Sequence, residues 1–279
     1  NPFLNDWLTS MQIDVYRSMT NYITYFEKKG GASLTFGRWL SEYVSGSISL
    51  VAEQLNFSDP NNTCLFSPTL FVCQQLGNQT TTGFRTSLAR DTRDYYLDPR
   101  TGWRTSVGFD FGTPYLGGTN NFYKYYFDVI KYTPLVYDTR FSIHARYGQA
   151  QGINGKPVPL TELFFVGGIN TMRGFVFGRA GPVDPVTGSL LGAAKELIFN
   201  NDFIFPISTE AKLNGVIFFD YGKGFGADER LSLDLRAAAG LEGRWISPFG
   251  PLRAAYGINL SPREGERKGV FEFTIGSLF

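Results

Sequence analysis

Catalysis at neutral pH most often draws on an imidazole or a thiol, and this sequence of 279 residues offers one histidine and two cysteines. His144 shares the polar side of an alternating stretch with Ser142 and Arg146, two positions away on either side. That setting describes a hydrogen-bonding wall residue better than a general base. Cys64 and Cys73 are separated by eight residues with no other metal-ligating types close by, so they read as one disulfide in an oxidising compartment. The run Gly222-Lys223-Gly224-Phe225-Gly226 resembles a phosphate loop only superficially, because it joins two extended stretches and opens no helix. These residues argue against an enzyme and imply neither a cofactor nor a metal.

Arg173 poses a different kind of chemistry. It stands in Leu163-Phe164-Phe165-Val166-Gly167-Gly168-Ile169-Asn170-Thr171-Met172-Arg173-Gly174-Phe175, an apolar, glycine-rich segment within the long connection 151–193. Such a segment favours burial, and a buried cation is costly unless acidic groups meet it. The partners must come from the elements around it.

Those elements are strands. Phe141, Ile143, Ala145 and Tyr147 alternate with Arg140, Ser142, His144 and Arg146, and Leu233, Leu235, Ala237, Ala239, Leu241 and Trp245 alternate with Asp234, Arg236, Glu242 and Arg244. Period two is the mark of a half-buried strand. Turn residues divide the chain into about twelve such stretches: 7–19, 31–40, 44–57, 83–95, 103–113, 122–133, 139–150, 194–206, 211–221, 231–246, 252–261 and 268–279. Short links at 41–43, 96–102, 134–138, 207–210 and 247–251 alternate with longer ones at 20–30, 58–82, 114–121, 151–193, 222–230 and 262–267.

Strands this long, with short turns on one side and long loops on the other, describe an all-β, antiparallel transmembrane β-barrel with the long loop 151–193 folded into the lumen. A soluble β-sandwich fits less well, because the polar faces would make a poor dry core. Trp103, Tyr115, Tyr132 and Trp245 are the expected interfacial aromatics. His144 would face the lumen, whereas a phospholipase-type barrel site would face lipid.

Composition agrees. Charged residues are 18% and aromatics 16%, which excludes disorder, and 26 basic against 25 acidic residues leave no excess for nucleic acid. No run of about 18 apolar residues marks a membrane helix. The opening Asn1-Pro2-Phe3 carries no signal peptide, so the chain reads as processed or as a piece of a longer one.

In the barrel, alternation supplies partners for Arg173. Leu197, Phe199, Phe203 and Phe205 take the outer face of one strand, leaving Asn200 and Asp202 inside; on the next, Asp220 shares a face with Asn214 and opposes Leu213, Ile217 and Phe219. The expected cluster is Arg173 with Asp202 and Asp220.

The segment Gly167-Gly168-Ile169-Asn170-Thr171-Met172-Arg173-Gly174-Phe175 resembles the loop motif of the BamA family of outer-membrane assembly proteins, with Met172 where the family usually has Val. Phe271-Glu272-Phe273-Thr274-Ile275-Gly276-Ser277-Leu278-Phe279 resembles its closing strand, and Ile246-Ser247-Pro248-Phe249-Gly250-Pro251-Leu252 its penultimate periplasmic turn. Asn201-Asp202-Phe203-Ile204 and Phe219-Asp220-Tyr221-Gly222 resemble the strands whose acids hold the loop arginine.

The resemblance implies a barrel of about sixteen strands preceded by periplasmic POTRA domains, of which residues 1–279 would be one outer-membrane domain supplying about the last twelve strands. It implies an integral protein of a Gram-negative outer membrane. Its partners would be the lipid bilayer, unfolded β-barrel clients and accessory lipoproteins of the assembly complex, the last bound mainly through the periplasmic domains. Met172, Arg173, Gly174 and Phe175 would dock the lumen loop, Asp202 and Asp220 anchor it, and Phe271, Phe273, Ile275, Gly276 and Phe279 form the seam, with Gly276 as a kink inside the last strand. A single-substrate transporter of the two-partner secretion type shares the loop motif, and a passive pore would use the loop as a constriction.

Overall fold

The computed structural model describes residues 9–21, 26–59, 64, 73–185, 188–248 and 250–276. Its strands are β1 (Thr9–Asn21), β2 (Phe26–Trp39), β3 (Val44–Ser58), β4 (Gly77–Asp91), β5 (Gly102–Gly112), β6 (Phe122–Pro134), β7 (Arg140–Gly152), β8 (Lys195–Ser208), β9 (Leu213–Phe225), β10 (Arg236–Ser247), β11 (Gly250–Asn259) and β12 (Gly269–Ile275). All twelve lie in one antiparallel sheet in sequence order, each bonded to its neighbours in the chain. Among the described residues no ladder joins β12 to β1, so the sheet keeps two edges.

Side-chain parity explains which face turns where. On β9, Ile217 and Phe219 are exposed while Val216, Phe218 and Asp220 are buried. On β12, Phe271, Phe273 and Ile275 are 67%, 56% and 62% exposed, and Glu272 points the other way. The outer face is apolar and unpartnered by protein, as a lipid-facing wall must be. Strands β3 and β4 have 15 residues each, enough at ~3.3 Å per residue to cross a bilayer core at a steep tilt with length to spare.

Several strand limits differ from those read in the sequence. Strands β2 and β4 begin at Phe26 and Gly77 instead of 31 and 83, so the link expected over 20–30 shrinks to 22–25. The polar openings Glu27-Lys28-Lys29 and Asn78-Gln79-Thr80 look like loop, but their backbones pair with β1 and β3. Strand β10 starts at Arg236, not 231, because Arg236 opposite Gly222 is the last rung of its ladder with β9. The alternation of Leu231, Leu233 and Leu235 continues beyond it without a partner strand. Tyr132 is buried and faces inward, in the same parity as Ile130, and so does not belong to the interfacial aromatics; Trp103, Tyr115 and Trp245 are exposed.

The lumen is filled rather than wet throughout. Ile130, Tyr132, Ile204, Val216, Phe218 and Ala255, from β6, β8, β9 and β11, form one apolar cluster inside the sheet, with Ile169 of the long loop packed on it. A second joins Val166, Met172, Phe175 and Ala180 of that loop to Ile198 and Ala238 of the wall. A third sets Leu160, Leu163 and Phe165 against Leu55 and Phe57 of β3 and against Cys73. The loop 153–194 is therefore a plug with its own core.

Gln75 fixes the entrance of that plug. Its amide donates to Val158 O at 2.9 Å and its carbonyl accepts from Leu160 N at 2.8 Å, both in buried surroundings. Gln75→Ala strands one backbone acceptor and one donor, a loss of about 2 kcal/mol, or about thirtyfold in the population of detached loop. Limited proteolysis within 153–165 should speed up to match, and an unchanged cleavage rate would show that the plug does not lean on Gln75.

Candidate functional site

The loop reverses sharply before Arg173. Gly167 and Gly168 take φ of 128° and 100°, Thr171 N donates to Gly168 O at 3.0 Å, and Gly168 N donates to Met172 O at 3.0 Å. Thr171 Oγ1 accepts from Gly167 N at 2.8 Å, closing the turn. Two wall residues hold it from outside: Asn200 donates to Thr171 O at 2.7 Å and Arg146 to Asn170 O at 3.3 Å.

The turn delivers the Arg173 guanidinium, 2% exposed, to three carboxylates. Nε donates to Asp220 Oδ2 at 2.9 Å, and Nη2 donates at 2.6 Å to both Asp220 Oδ1 and Asp202 Oδ1. Nη1 donates to Glu242 Oε2 at 2.6 Å. Even the Arg173 backbone N–H donates to Asp220, at 2.8 Å. The plane of the guanidinium lies 3.9 Å over the Phe218 ring, so its faces are used as well as its edges.

Two further arginines complete the cluster. Arg244 bridges Asp202 at 2.7 Å and Glu242 at 2.8 Å, and Arg253 donates to Glu242 at 2.6 Å and to Ile169 O at 3.1 Å. Three buried carboxylates thus face three buried guanidiniums, and the group is neutral as a whole. Neutrality matters more here than any single bond, because an uncompensated charge in a dry interior is far costlier than one lost contact.

Glu242, Arg244, Arg253 and Phe218 were not among the site residues expected from sequence. Their inward parity was readable, since Glu242 and Arg244 alternate with Leu241 and Trp245. Their height along the wall was not, because it depends on register: Glu242 lies opposite Val216, and Arg253 opposite Arg244.

The rest of the motif is held by packing. Met172 and Phe175 are 0% and 2% exposed. Gly174, at φ 81°, lies against the β11 backbone so closely that a Cβ on Gly257 would sit 2.5 Å from Gly174 Cα and N. Phe175 carries the Arg236 guanidinium 4.6 Å above its ring.

Elsewhere the structure gathers fewer of the sequence candidates. His144 Nε2 meets Asp128 Oδ2 at 2.5 Å, beside Arg146 at 3.3 Å from the same oxygen. A cavity of about 40 Å³ lies between His144 and Arg173, room for a water and not for a substrate. Cys64 and Cys73 form a disulfide with Cα atoms 5.5 Å apart, far in sequence from the Arg173 cluster. Among the described residues the last strand runs to Ile275, and Gly276 after it adopts φ 88° and donates to Pro251 O at 2.8 Å. Phe279 lies outside the described residues.

Comparison with known proteins agrees with this architecture. The Omp85 superfamily domain matches residues 1–279. Outer membrane protein assembly factor BamA of Nitratidesulfovibrio vulgaris is 28% identical over 288 residues, which cover all of this chain and 35% of that protein. Its namesake in Neisseria meningitidis serogroup B is 22% identical over 329 residues, all of this chain and 40% of that protein. The chain thus spans well under half the length of these relatives. The crystal structure of BamA from Haemophilus ducreyi lacking POTRA domains 1–3 shares the fold, with a TM-score of 0.81 at 19% identity, over 99% of this chain and 60% of that one. With a twelve-stranded sheet, an apolar outer face and an arginine-anchored lumen loop, matched along its whole length, the chain belongs to the Omp85 superfamily and shares the fold of the BamA barrel.

Proposed function

We propose that this barrel works in an assembly factor that helps unfolded β-barrel clients fold into the bacterial outer membrane. The observation that carries the reading is the lumen loop fastened to the inner wall by buried charge pairs. A passive pore needs an open lumen, whereas here loop 153–194 occupies it and is fastened by a neutral six-charge cluster. Among the described residues β12 is bonded to β11 alone, and a strand edge that lipid cannot satisfy makes pairing with an incoming strand favourable. No chemical step is required; the free energy comes from client folding.

In this reading residues 1–279 serve as one barrel domain of a longer protein, whose periplasmic part receives clients and accessory lipoproteins. Arg173, Gly174 and Phe175 dock the loop, Asp202 and Asp220 anchor it, and Phe271, Phe273 and Ile275 present the lipid-facing side of the pairing strand.

Depletion of the full-length protein bearing this barrel tests the proposal. Folded, heat-modifiable outer-membrane proteins should fall across many clients, with unfolded precursors accumulating in the periplasm. Retention of one secreted protein with all barrels folding normally would point to a single-substrate transporter. Steady large conductance of the purified protein in planar bilayers would point to a pore.

A further inference from the structure

Strand β12 is the least supported strand of the sheet. It has 7 residues, pairs only with β11 from Ile258–Gly269 to Leu252–Ile275, and has no neighbour on its other side among the described residues. By contrast β3, with 15 residues, is laddered on both sides. Contacts on the inner side of the closing hairpin therefore weigh heavily in deciding where β12 sits.

One residue makes several of them where the connection enters β12. Arg236, at the start of β10, is 5% exposed. Its Nη1 donates to Arg179 O of the lumen loop at 2.7 Å and to Glu266 Oε1 at 3.0 Å, while Nη2 donates to Ser261 O at 3.0 Å and to the other Glu266 oxygen. Ser261 and Glu266 belong to the connection 260–268 that leads into β12. Glu266 in turn accepts from Asn259 at 3.2 Å and from Arg263 N at 3.0 Å, so it organises that connection. The face of the same guanidinium covers Phe175.

We propose that Arg236 is a positioning residue that couples the lumen motif to the closing hairpin, holding Phe175 with its face and Glu266 with its edge. Only a planar, five-donor cation can do both at once; a lysine would keep the charge and lose the fork and the stacking. A weaker tie reaches the strand itself. Glu272 Oε1 lies against the lumen turn, 3.3 Å from where a Cβ on Gly168 would sit, and its Oε2 is buried without a hydrogen-bond partner among the described residues. Strand β12 itself is thus fastened at the connection 260–268 and only loosely along its own length. On the assembly reading β12 is the strand that meets a client, yet the coupling is a property of the barrel and stands apart from that reading.

The test is amide hydrogen exchange in the full-length protein bearing this barrel, held in lipid nanodiscs. Arg236→Lys should raise exchange at 269–275 about tenfold and Glu266→Gln by less, and the double variant should go no further than Arg236→Lys alone, because the Glu266 contact is already lost in it. Amides of β8 and β9 should keep their wild-type rates. Unchanged exchange at 269–275, additive effects in the double variant, or an equal rise in β8 and β9 would each overturn the proposal. If Arg236→Lys fails to fold, Glu266→Gln on the connection still gives the reading. Phe175→Leu supplies the reciprocal arm: it should raise exchange at 269–275 in the wild-type background and have no effect beside Arg236→Lys.

Discussion

Arg173→Ala should cost the barrel about 3–5 kcal/mol of stability, the largest loss expected from any single charge in the chain. The reason is the balance of the cluster. With Arg173 gone, Asp202, Asp220 and Glu242 face only Arg244 and Arg253, so one negative charge is uncompensated. Asp220 bears it most directly. It is 0% exposed, and its side-chain partners were Arg173 Nε and Nη2. Asp202 and Glu242 keep Arg244, and Glu242 also keeps Arg253. Adding Asp220→Asn to the variant removes the orphaned charge and should return about 1–2 kcal/mol, although Asp220→Asn alone is destabilising. Urea unfolding in lipid vesicles, followed by the heat-modifiable shift on gels, measures all four corners of the cycle. Simple additivity would mean that the two residues do not share a site. Arg100→Ala is the matching control. Its partner Asp138 is 2.9 Å away on a short turn where both side chains are about half exposed, so the loss should stay below about 1 kcal/mol.

How much of this was visible in the sequence depends on what alternation can report. Period two assigns each residue a face, and that is why strand number, the apolar outer wall and the inward placing of Asp202 and Asp220 are all readable without coordinates. It says nothing about whether a neighbouring backbone is present. Leu231, Leu233 and Leu235 keep the period outside any strand, while Glu27-Lys28-Lys29 breaks it inside one. Nor does it say how high on the wall a residue sits. Arg244 and Arg253 are one rung of the β10–β11 ladder, a fact fixed by the register that sets Ser247 opposite Gly250. Tyr132 shows the opposite failing. Its position near a strand end suggested an interface aromatic, although its parity with Asp128 and Ile130 already placed it inside.

The glycine that seats the motif was silent for another reason: a missing side chain has no parity. Gly257→Ala is expected to cost about 3 kcal/mol, at the upper end of overpacking, and to lift the lumen loop from the wall. The added Cβ would lie 2.5 Å from Gly174 Cα and N and 3.1 Å from Arg173 C, all backbone atoms that no rotamer change can move aside. Relief requires the loop to retreat by about an ångström, judged against ordinary carbon contacts of ~3.5 Å. That retreat pulls the Arg173 guanidinium away from carboxylate acceptors set at 2.6 to 2.9 Å, so part of the cost falls on the charge cluster. Gly243→Ala, one strand residue from the cluster's Arg244–Arg253 rung and so in the opposite parity, meets nothing within 4 Å and should change stability by less than about 0.5 kcal/mol. The two alanines are chemically identical and sit on adjacent strands of one sheet, so β-propensity predicts equal effects. Vesicle unfolding should separate them by about a hundredfold in equilibrium constant. In an Arg173→Ala background, where the loop has already lost its anchor, the Gly257→Ala penalty should shrink to about 1 kcal/mol. A penalty that stays at full size there would mean that Gly257 serves the strand itself and not the seat of the loop.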